Sequence, residues 1–168
     1  MTDDPASPVC FGDAVDSAYM GYAGHDELVA ALTELLEAER AGARVALESR
    51  KKSSDPGITD LLNTVHADEA RWCAMLSQQI RRLGAHPSAQ VGAFHLKAIS
   101  IVDLGERLAL LNRGQAWVVR KLIALRPRVR DDALHAALTS MLASHETNID
   151  ATDILLKSRA LPLPEGGP

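Results

Sequence analysis

Four stretches of this chain carry apolar residues stepping by three and four, and each stripe is broken near its middle by a polar side chain. That step is the footprint of an amphipathic helix, whose 3.6-residue turn brings such positions onto one face. The first stripe is Leu28, Leu32, Leu35, Glu39, Gly42 and Ala46. The second is Ile58, Leu62, Val65, Glu69, Trp72, Leu76, Gln79 and Leu83. The third is Ile101, Leu104, Leu108, Leu111, Gln115, Val118, Leu122 and Leu125. The fourth is Leu134, Leu138, Met141, His145, Asn148, Thr152 and Leu155. Helices of this kind bury their stripes against one another, so the pattern predicts an all-α chain folded as an antiparallel four-helix bundle. Aromatic residues make up only 4% of the sequence, leaving Leu, Ala, Val and Ile to build the core, which favours helix over sheet.

The helix limits follow from capping chemistry. The first helix is expected over Asp26–Lys51. The second opens at Asp55-Pro56, an N-cap followed by a proline in the first turn, and stops near Leu83, before Gly84. The third begins near Ser100, where Ser100-x-x-Asp103 reads as a capping box with Asp in place of Glu, and ends at Arg126, before Pro127. The fourth runs from Arg130 to Lys157, with Asp131 and Asp132 in its first turn. Short turns join the first helix to the second and the third to the fourth, whereas residues 85–99 form a link long enough to cross the whole bundle. The chain thus reads as a loose arm over 1–24, a bundle over 25–158 and a Pro/Gly-rich tail over 159–168.

Charge and composition exclude several roles. The net charge is -4 with both signs interspersed, so no basic face invites a nucleic acid, and Arg126–Arg130 reads as a solvated turn. No apolar run approaches the roughly 20 residues that span a membrane. The opening Met1-Thr2-Asp3-Asp4-Pro5 lacks the layout of a signal peptide, and Cys10 and Cys73 make no disulfide framework, so a cytoplasmic protein is expected.

Glu39, Glu69, Gln115 and His145 all fall near the midpoints of their helices, which places them in one polar layer between apolar layers. His66 lies one turn before Glu69 and can join it. A buried, unpaired carboxylate costs several kcal/mol, so Glu39 and Glu69 need partners. Two solutions satisfy them. One is a bound cation. The other is a network in which protonated His66 and His145 balance the two acids while Gln115 and Asn148 supply hydrogen bonds. A small-ligand cavity beside the layer is a further option, with room made by Gly42, Ala43 and Ala46. Glu106 lies opposite the third stripe, and Leu110 with Trp117 forms a second apolar face there. That face suits packing under the Gly92–Leu96 crossover or against a second copy in a homodimer.

Leu36-Glu37-Ala38-Glu39-Arg40-Ala41-Gly42-Ala43, His66-Ala67-Asp68-Glu69-Ala70-Arg71-Trp72, the run Arg107–Arg120 and His145-Glu146-Thr147-Asn148-Ile149 resemble a group of uncharacterised bacterial proteins of the ferritin-like superfamily. The resemblance spans residues 26–157 and implies the two-hairpin bundle with a long crossover between the second and third helices. The superfamily's di-iron pattern places one Glu on each of two helices and Glu-x-x-His on the other two. This chain keeps Glu39 and Glu69 but has Trp72, Gln115, His145 and Asn148 at the remaining positions, so an intact di-iron centre is not expected. The resemblance implies at most one iron, manganese or zinc ion on Glu39, Glu69 and His145, with His66 as a fourth ligand and Gln115 and Asn148 orienting the set. Such a protein would be a metal-dependent oxidoreductase. The alternative is a non-enzymatic bundle that has lost the metal and serves in interaction or stress.

Overall fold

The computed structural model describes residues 20–160, so the expectations for Cys10 and for most of the N-terminal arm and tail lie outside it. Five helices follow in order: α1 (His25–Arg50), α2 (Pro56–Arg82), α3 (Phe94–Ile99), α4 (Leu104–Leu125) and α5 (Asp132–Ala160). A single 3-10 turn, Arg126–Arg128, links α4 to α5. No strand occurs among the described residues. None of these helices is long and apolar enough to cross a membrane.

Three of the long helices start on an aspartate. Asp55 Oδ1 accepts from Ile58 N at 3.0 Å with Pro56 in the first turn, Asp103 Oδ1 accepts from Glu106 N at 2.8 Å, and Asp131 Oδ1 accepts from Leu134 N at 2.7 Å. Each satisfies an amide that the first helical turn leaves without a partner. The cap of α4 is therefore Asp103, not Ser100. Ser100 instead ends α3, its hydroxyl donating to Lys97 O at 2.7 Å. At the other end of α2, Gly84 takes φ +77°, and Ala85 N donates back to Ile80 O at 3.1 Å. That left-handed turn is what a glycine permits and a side chain resists.

In the packing, α1 touches α2 and α4, and α5 touches the same two, which makes a four-cornered bundle. Interactions at the ends fix the directions. His25 on α1 bonds Leu83 O after α2, Arg128 after α4 pairs with Glu27, and Arg159 at the end of α5 pairs with Asp55 before α2. All four neighbouring pairs are antiparallel. Because α2 and α4 then run in the same direction, the chain must travel the bundle's length between them. The crossover does so along α1: Gly92 N lies 3.5 Å from Glu37 O, and His95 Nε2 lies 2.7 Å from Glu48 Oε1.

The sequence suggested no helix in that crossover, but residues 94–99 make the short α3, packed on α1 and α4. Buried Arg107 holds its end, with Nε donating to Ile101 O at 3.0 Å and a terminal nitrogen to Ile99 O at 3.3 Å. Phe94 covers Gly114, where a Cβ would come within 2.8 Å of the ring. Leu110 belongs to the same apolar cluster as Phe94 of the crossover.

The core is in two parts. One gathers Leu32, Leu35 and Leu36 with Trp72, Leu76, Ile80, Val118, Leu122, Leu138 and Met141. The other gathers Val45, Ala46, Ile58, Leu62, Val65, Leu108 and Leu111. Along α2 the buried stripe continues through Ile80, while the expected Gln79 is only half-buried.

Candidate functional site

Between the two apolar clusters lie the buried polar side chains Glu39, Glu69, Gln115, His145 and Asn148, none more than 3% exposed. The mid-helix interruptions of the four stripes thus form one layer across the bundle. Glu39 on α1 and His145 on α5 meet directly, with His145 Nε2 3.0 Å from Glu39 Oε1. Glu69 enters from α2 and lies against Gly42 of α1, where a Cβ would fall 2.6 Å from the carboxyl carbon. Gly42 thus makes the space that the Glu69 carboxyl fills.

Burial is the largest influence on both acids. It pushes the Glu69 carboxyl well above the usual range, and the charges of Glu39 and Asp68 push the same way. Burial also raises Glu39, partly offset by the hydrogen bond and charge of His145. The layer therefore favours few net charges, with the Glu69 carboxyl keeping its proton when nothing else neutralises it.

Two of the sequence-predicted residues lie to the side of this group. His66 is half-buried and turned toward α1, Nδ1 3.1 Å from Ala43 O. Asn148 donates to Asp68 Oδ2 at 3.0 Å rather than to either glutamate. Asp68 is the residue that stripe reading missed. It also accepts from Ser144 Oγ at 2.8 Å and pairs with Arg71 at 2.9 Å, tying α2 to α5 beside the layer. It sits off the apolar stripe, so periodicity carried no signal for it. The only hint was Arg71 one turn later.

A cavity of about 480 Å³ opens beside the layer, between α1, α4 and the crossover. Ala38, Gly92, Phe94, Leu110, Leu111, Trp117 and Val118 wall it, Glu34, Glu37, Arg113 and Arg120 also line it, and Glu39, Gly42, Glu69 and Gln115 close it on the side of the layer. Glu39 Oε2, Glu69 Oε2 and both amide atoms of Gln115 are buried without a protein partner, as is His145 Nδ1. Buried polar atoms ordinarily have partners, and among the described residues several that lack one are gathered in this layer.

The fold and the layer define a ferritin-like helical bundle. A solved structure described as ferritin like, diiron-carboxylate proteins from Bacillus anthracis str. Ames superposes with a TM-score of 0.71, covering 79% of this chain and 96% of that one at 17% identity. Over residues 26–154 the chain matches the family model described as a domain of unknown function, DUF6306, and it belongs to that family. No curated protein matches it.

The donor set does not fit a di-iron centre. Trp72, Gln115 and Asn148 supply no carboxylate or imidazole where that chemistry needs them, and the Trp72 Nε1 atom is itself buried without a partner. Among the described residues no group of three or more His, Cys, Asp or Glu side chains comes together so as to hold a metal ion. The imidazole on Glu39 is a cation-capable group where the di-iron pattern would carry another carboxylate.

Proposed function

We propose that this chain is a non-enzymatic, ferritin-like binding protein that has given up the di-iron centre and takes a small organic molecule in the cavity beside its polar layer. One observation carries the reading: a cavity of about 480 Å³, walled largely by apolar side chains, ends on buried polar atoms that have no partner. Ligand sites in proteins are commonly of this size and make-up. The Glu39–His145 pair supports the loss of the metal, because it neutralises a waist carboxylate from within the protein.

A second reading is favoured by the unpartnered Glu39 Oε2, Glu69 Oε2 and His145 Nδ1. It is a single iron, manganese or zinc ion on Glu39, Glu69 and His145, with His66 nearby, and it requires these side chains to draw closer together than they lie here. One experiment separates the two. Untagged protein is analysed for metals as purified and after loading with each ion, and is screened by thermal shift against a small-molecule library beside Ala38→Phe, which fills the cavity. Ligand-dependent stabilisation that vanishes in Ala38→Phe, with no stoichiometric metal, supports the cavity reading. A stoichiometric ion that disappears in Glu39→Ala plus Glu69→Ala overturns it in favour of the ion.

A further inference from the structure

The chemistry at the inner end of the cavity says more about its ligand than the walls do. Three acceptor atoms there lack partners among the described residues, Glu39 Oε2, Glu69 Oε2 and Gln115 Oε1, beside a single donor, Gln115 Nε2. Their charges are unequal. Glu39 has His145 Nε2 at 3.0 Å, whereas among the described residues no ion pair reaches Glu69. The arginines that line the cavity, Arg113 and Arg120, are exposed side chains at its rim. The site therefore offers one unmatched carboxylate beside two further acceptors, at the end of a slot with Phe94 and Trp117 among its walls.

We infer that the cavity binds an organic monocation, a primary ammonium on an apolar body, with its head on Glu69, Glu39 and Gln115 and its body along Phe94 and Trp117. This rests on the cavity reading above and names the class of ligand. An ammonium carries three donors and no acceptor, which matches the three free acceptors. It also brings the one positive charge that Glu69 lacks, and it does so where water is scarce, so the ion pair is stronger than at a surface. A neutral alcohol meets the acceptors but supplies no counter-charge, so Glu69 stays protonated. A carboxylate ligand would add a third acid beside the two already buried there. The aromatic walls offer broad apolar surface to the body of the ligand. Gly42 is part of the design, since any side chain there would displace the Glu69 carboxyl that receives the head group.

The test is calorimetric titration of the full-length protein with three probes of one size: hexylamine, hexanol and hexanoate, at neutral pH. The amine is expected to bind about tenfold or more tightly than the alcohol, since a hydrogen bond to a charged group is worth roughly that much. Hexanoate is expected to bind weakest. Glu69→Gln should bring amine and alcohol to within about twofold of each other, removing the preference for the amine. Gly42→Ala keeps a good helix former at that position and should lose the same preference by moving the carboxyl, which covers the case in which Glu69→Gln fails to fold. Equal binding of amine and alcohol, or a preference for hexanoate, overturns the inference but leaves the cavity a ligand site. A failure of all three probes to bind, with Ala38→Phe indistinguishable from the natural chain, sinks the cavity reading as well.

Discussion

Replacing His145 by leucine isolates the electrostatics of the waist. The two side chains are similar in bulk, so the change removes the imidazole with little cavity penalty. In the natural chain His145 Nε2 lies 3.0 Å from Glu39 Oε1, and its hydrogen bond and charge offset part of the cost of burying that carboxyl. In His145→Leu the carboxyl must take a proton alone. From its ordinary value of 4.5, that costs about 3 kcal/mol at pH 7 and about half of that or less at pH 5.5. The variant is therefore expected to lose up to about 3 kcal/mol at pH 7 and about half of that at pH 5.5. The double change Glu39→Leu plus His145→Leu removes both needs and should return to within about 1 kcal/mol of the natural chain. Urea unfolding followed by circular dichroism at 222 nm measures all three, with unchanged slopes confirming a common unfolded state. A loss below about 1 kcal/mol in His145→Leu, equal at both pH values, would refute the reasoning, because Glu39 would then be meeting solvent or another cation.

Other consequences can be measured alongside. Glu69 has its folded-state pKa raised, so the folded protein holds that proton more tightly than the unfolded one, and stability is greatest below the ordinary value of 4.5 and declines as pH rises above it. Glu69→Gln should therefore raise the urea midpoint at pH 7 and flatten its fall between pH 5 and 8, and an unchanged slope would count against a sealed carboxyl. Arg107→Leu strips the buried donors from Ile99 O and Ile101 O and is expected to cost about 2–4 kcal/mol, with faster amide exchange across α3; a loss near zero would mean water replaces the guanidinium. Burial pushes the Cys73 thiol up to about 12, so it should react with thiol reagents far more slowly than a free thiol at pH 8, and ordinary reactivity would contradict its placement.

Much of this architecture is legible along the chain. The three-and-four stripes, Asp55-Pro56, Asp131 and Gly84 mark helix faces and ends through local chemistry, and local chemistry is what sequence spacing encodes. The polar layer was legible for the same reason, since Glu39, Glu69, Gln115 and His145 interrupt their stripes near mid-length. The short α3 was not, because six residues of crossover have too few turns to show a period, and its position depends on Phe94 lying over Gly114 and Arg107 holding its end. The Ser100 cap failed because Asp103 offers the stronger acceptor three residues later.

What the sequence determined alone is which faces are apolar, where each helix stops and that polar groups are sunk at the waist, because these depend on residues three or four apart. What only the tertiary structure decided is which polar groups meet. Glu39 took His145, Asn148 went to Asp68, and Glu69 was left over Gly42 beside a cavity. Those choices depend on how far each helix slides and turns against its neighbours, over distances at which spacing along one helix carries no information.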